Sequence, residues 1–114
     1  MNFRALIFSI LFSFPAIVFA DISKVVVLDS DFKVQKTINN EADLRAFQKL
    51  WENKDGKWTQ RKILMRYKLD ITEDGKSNRW LYSEKGWATI LSMKVSKQYQ
   101  VNSIELNKIL GIED

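Results

Sequence analysis

The sequence predicts an α+β fold: a two-layer sandwich in which an antiparallel β-meander carries two helices packed on one face. Three observations point there. Residues 61–72 alternate apolar and polar side chains and run into Asp74-Gly75, and further alternating segments follow that turn. Two stretches, behind Asn40 and behind Asn102, place apolar residues at helical spacing after a capping side chain. Strands grouped together, with helices outside the group, pack as layers around one core.

The first 20 of the 114 residues read as a cleavable signal peptide. Arg4 supplies the positive n-region, Ala5 to Phe14 the apolar run, Pro15 the helix break, and Val18 and Ala20 the small residues before a cut at Asp21. The run is shorter than the roughly 20 apolar residues of a spanning helix. The expected product is a periplasmic or secreted domain over 21–114, with no transmembrane segment after signal removal. Arg4 is the one charge lost with the signal, so the mature chain stays mildly basic, one unit below the full chain's +4. That charge is too small to argue for nucleic acid, and none is expected as a partner.

Within the mature chain, Lys24 to Asp29 is a β-branched run that reads as a strand, and Asp29-Ser30-Asp31 turns it. Phe32 and Val34 alternate with Lys33 and Gln35 as a second, weaker strand. A helix follows, capped by Asn40 with Asp43 three residues on, and carrying Leu44, Phe47, Leu50 and Trp51 on one face. Lys54 to Lys57 ends it.

From Arg61 to Thr72 the period is two: Ile63, Met65, Tyr67, Leu69 and Ile71 on one face, and Lys62, Arg66, Lys68 and Asp70 on the other, with Leu64 as the interruption. Asp74-Gly75 suits a two-residue type I′ turn. That loop length pairs Asp70 with Arg79, Leu69 with Trp80 and Tyr67 with Tyr82, which keeps apolar partners on one face. Ser83 to Gly86 forms the next turn. A four-residue loop there sets Trp87 opposite Tyr82, on the apolar face, and the alternation continues through Val95 to Tyr99 and Val101. The second helix starts at Asn102 with Glu105 at the box position, buries Leu106, Ile109 and Leu110, and stops at Gly111 with Ile112 folded back on the last turn.

Composition excludes much chemistry. With no His and no Cys, zinc, copper, haem and iron–sulfur sites lose their usual ligands, and Ser–His or Cys–His catalysis has no base. The glycines after the signal are isolated, so no phosphate-cradling loop exists. Glu52, Asp70 and Glu84 are the carboxylates a glycosidase pair would draw on, but no feature brings two together in a cleft. Asp29-Ser30-Asp31 lacks the further ligands of a calcium loop and reads as a turn. No catalytic residue, metal or cofactor is expected.

Binding remains. Tyr67, Trp80, Tyr82 and Trp87 converge on one face of the meander, and the first three are expected in the core beneath the helices. Trp87, beside a turn, and Trp58, in a polar stretch, are the expected exposed aromatics. Lys54 to Lys68 holds six positive charges and one negative, and Lys62, Arg66 and Lys68 share the outward face of the long strand. A charged outer sheet face is also what plain solvation gives. The leading expectation is a non-enzymatic protein-binding domain of the cell envelope (an inhibitor, immunity factor or accessory subunit) whose partner is another envelope or secreted protein. The alternative is a module for cell-wall or surface glycan, with Trp58 and Trp87 as stacking platforms. A carrier of small apolar ligands is a third reading.

Overall fold

A computed structural model describes residues 21–57, 63–91 and 97–113. The expected signal peptide, and with it the start of the mature domain, rests on residues outside these, as do Trp58 and Lys62. Seven strands and two helices are present among the described residues: β1 (Ile22–Leu28), β2 (Val34–Ile38), α1 (Glu41–Glu52), β3 (Asp55–Lys57), β4 (Tyr67–Glu73), β5 (Lys76–Ser83), β6 (Trp87–Ile90), β7 (Gln98–Gln100) and α2 (Ser103–Leu110). The strands form one antiparallel sheet in the order β2-β1-β4-β5-β6-β7-β3. The chain is thus the α+β sandwich its patterning predicts. No described helix is long and apolar enough to cross a membrane.

The hairpin between β4 and β5 follows its side chains. Asp74 and Gly75 both take positive φ, 50° and 80°, as a type I′ turn demands. The register then sets Asp70 opposite Arg79, Leu69 opposite Trp80 and Tyr67 opposite Tyr82. β4 begins at Tyr67 rather than Arg61 because its neighbours stop there. β1 ends at Leu28, opposite Lys68, and β5 turns at Ser83, so residues 63–66 have no ladder to join among the described residues. Leu64, the break in the alternation, is 70% exposed.

Two expectations need correction. Trp87 lies opposite Ser83, and Ala88 opposite Tyr82. The loop is therefore one residue shorter than expected, closed by Gly86 N–H donating to the Ser83 carbonyl at 2.9 Å with Gly86 at φ 101°. A one-residue slip turns every side chain over, so Trp87 leaves the core face and Ala88 takes it. The strand expected through Val101 is also two strands: β7 doubles back beside β6, with Tyr99 opposite Ala88. β7 in turn pairs with β3, a three-residue edge strand lying where the sequence suggests only a helix stop.

The caps match their residues. The Asn40 side chain accepts from Asp43 N–H at 2.9 Å, and Asn102 accepts from Glu105 N–H at 3.3 Å. Gly111 stops α2 at φ 72°, and the Ile112 N–H donates to Asn107 O at 3.0 Å. Both helices pack on one face of the sheet. Leu44, Phe47 and Trp51 of α1, with Leu106 and Leu110 of α2, meet Val25, Val27, Ile38, Leu69, Ile71, Tyr82 and Ala88. Each buried Val, Leu, Ile or Phe among them contributes roughly 1.5–3 kcal/mol. The Tyr82 hydroxyl and Asn107 Oδ1 lie 2.5 Å apart inside this core.

Candidate functional site

With both helices on one side, the other side of the sheet faces outward. The alternation of β4 and its neighbours assigns that face: Lys68 and Asp70 from β4, Arg79 and Leu81 from β5, Trp87 and Thr89 from β6, and Gln100 from β7, as adjacent rows. All but Gln100, which is exposed, are half-buried.

The cations here are engaged locally. Arg79 donates from Nε and Nη2 to the two oxygens of Asp70 at 2.7 and 2.8 Å. This hydrogen bonding, ahead of any other influence, raises the Arg79 pKa above its ordinary value. Arg66 lies just before β4 and reaches Glu84 with Nη2 2.6 Å from Oε1; Glu84 is 8% exposed and its Oε2 has no hydrogen-bond partner among the described residues. Lys68 has a different partner. Its Nζ sits 4.2 Å from the centroid of the Phe32 ring, and the Arg79 guanidinium carbon lies 5.4 Å from the same ring.

Phe32 is the residue that sequence reasoning missed. It belongs to the turn between β1 and β2, not to a strand. Asp29 builds this turn: one carboxylate oxygen accepts from the N–H groups of Asp31 and Lys33 at 2.8 and 2.9 Å, and the other accepts from the Gln35 amide. The Asp29 carboxylate thus serves the turn, as the Asp-Ser-Asp pattern suggests. The chain closes with Phe32 at φ 62°, a conformation suited to Gly or Asn and costly for a bulky residue. Phe32 is 57% exposed. Nothing in the local sequence announces a left-handed Phe; only the fold brings it over β4 and β5.

Among the expected site residues, Lys68 and Trp87 thus share the outward face, with Arg66 at its end beside Glu84; Lys62 and Trp58 lie outside the described residues. The aromatics expected inside divide as follows: Tyr82 is fully buried, while Tyr67 and Trp80 are half-buried against the core cluster. No group of three or more metal-ligating side chains forms among the described residues. Comparison with protein-family models, curated proteins and solved structures gives no match.

Proposed function

We propose that the protein is an exported, non-enzymatic domain that docks another envelope or secreted protein through the outward face of its sheet, as an inhibitor, immunity factor or accessory subunit. Phe32 carries the reading. Left-handed backbone costs a bulky residue roughly 1–2 kcal/mol, and Phe32 stays more than half exposed. A turn built for stability alone is better served by Gly or Asn. Strain of this kind persists where a side chain has work to do. An aromatic ring set against Lys68 and Arg79, with Leu81 and Trp87 on the same face, is the composition that anchors protein interfaces. The signal pattern of residues 1–20 supports export. The carboxylates on this side, Asp70 and Glu84, are committed to arginines, which supports binding over acid–base chemistry.

One observation favours a glycan instead: Trp87 lies across from Gln100, an aromatic plane beside an amide, as sugar platforms require. Photo-crosslinking in the producing cells separates the readings. A benzophenone side chain at position 32 or 81 should trap one discrete protein, while position 49 on α1 traps none. Equal trapping from position 49, or no trapped protein from the sheet face, rejects the docking reading. Retention on isolated wall glycan that fails in Trp87→Ala supports the second.

A further inference from the structure

On the helix-bearing side of the sheet, three aromatic rings from three distant segments surround one ammonium group. Lys54 follows the C-cap of α1, and its Nζ lies 4.9 Å from the Trp51 ring centroid, 5.4 Å from that of Trp80 and 5.4 Å from that of Tyr99. The rings do not stack. Trp80 stands at 84° to Trp51 and 63° to Tyr99, with centroids 4.9 and 5.7 Å apart. They form the walls of a box, and the box uses α1, β5 and β7 together.

We propose that this box is a binding site for a quaternary or methylated ammonium ligand, which Lys54 occupies as a tethered stand-in until the ligand displaces it. Ring faces attract a cation through their quadrupoles, most strongly where it is desolvated. A primary ammonium suits such walls poorly. It is strongly hydrated and carries three donors, yet among the described residues its hydrogen bond is to Trp51 O at 3.2 Å. Burial accordingly pulls the Lys54 pKa below its ordinary 10.5, against the opposing pull of Glu73 and Glu52. A quaternary ammonium has no N–H to satisfy and sheds water more readily, while the same two carboxylates favour its charge. Lys54 is half-exposed on a flexible four-carbon stem. It can swing outward and still sit beside the negative end of the α1 dipole.

The test uses the full protein with choline and tetramethylammonium as probes and sodium chloride at matched ionic strength as control, read by tryptophan fluorescence. The expected result is choline-specific quenching in the wild type and at least tenfold tighter binding in Lys54→Ala, with Tyr99→Ala in that background reversing the gain. A folded Lys54→Ala that shows no choline-specific response, or binds no more tightly than the wild type, overturns the proposal. Should Lys54→Ala fail to fold, the wild type still decides by proton NMR. The Lys54 Hε signals, shielded by the three rings, are expected to move to ordinary lysine positions at saturating choline. Their remaining shielded at saturation overturns the displacement.

Discussion

Arg79 and Asp70 face each other across β4 and β5 in a two-pronged ion pair, Nε to one carboxylate oxygen at 2.7 Å and Nη2 to the other at 2.8 Å. Both are part-exposed, 36% and 25% at the side chain, so water weakens the attraction. A double-mutant cycle with Asp70→Ala and Arg79→Ala should give a coupling of about 0.5–1 kcal/mol, smaller in 1 M salt. Coupling well above that range in high salt means the pair is more enclosed than its exposure indicates.

Phe32 separates backbone strain from ring contacts. Phe32→Ala keeps the left-handed strain and loses the ring over Lys68 and Arg79; Phe32→Gly loses both. Glycine should therefore be the more stable replacement by about 1 kcal/mol, read from urea midpoints at constant slope. Equal stability of the two shows that the φ of 62° carries no strain.

Gly75 tests the other left-handed turn. A Cβ there meets nothing within 4 Å, so the cost of Gly75→Val is conformational alone. A loss of about 1–3 kcal/mol is expected, with Gly75→Asn much milder. Thermal unfolding that hardly shifts for valine rejects the type I′ assignment.

The legibility of the fold divides along these turns. Asp74-Gly75 admits one loop length consistent with the apolar face, so the β4–β5 register is readable from Asp70, Leu69 and Tyr67. The helices are readable for a similar reason, since Asn40 and Asn102 mark their starts and Gly111 the stop. Ser83-Glu84-Lys85-Gly86 marks a turn without setting its length. The shorter loop prevails once Ser83 and Glu84 are buried and the Val101 N–H donates to the Gly86 carbonyl at 3.0 Å, a contact made across the sheet. Trp87 and Ala88 therefore exchange faces. β3 has no pattern to read: Asp-Gly-Lys is a strand because Gln98 to Gln100 lies beside it. The site was half legible. Lys68 follows from alternation, whereas the Phe32 ring and the box around Lys54 exist only through contacts between segments far apart in the chain.

Lys54 makes stability depend on pH in a defined direction. Its pKa is lowered in the folded protein, chiefly by burial, so in the interval beneath 10.5 the unfolded chain holds more of that proton. Stability then rises with pH across that interval, and below it the burial cost of the charged amine is carried in full. Other groups titrate too, so the comparison is with Lys54→Met. The stability of the wild type minus that of Lys54→Met should increase from neutral pH to pH 10.5. A flat or falling difference shows that the ring faces and Glu73 and Glu52 outweigh burial.

The proposed docking face is best tested through Lys68. Reversing Arg66 is a poor probe, because a carboxylate there faces buried Glu84, deprived of its ion-pair partner, and costs about 1–3 kcal/mol of fold stability. Lys68→Glu removes only a cation resting on an exposed ring, so stability should hold to within about 0.5 kcal/mol. Its association with the crosslinked partner should slow about tenfold at low salt and lose most of its salt dependence, since charges at a rim act chiefly on the encounter rate. Trp87→Ala, in contrast, should speed dissociation and leave the salt dependence unchanged, because an apolar anchor acts after encounter. If Lys68→Glu and Trp87→Ala both leave partner capture unaltered, the outward face is a solvated surface and the docking assignment fails.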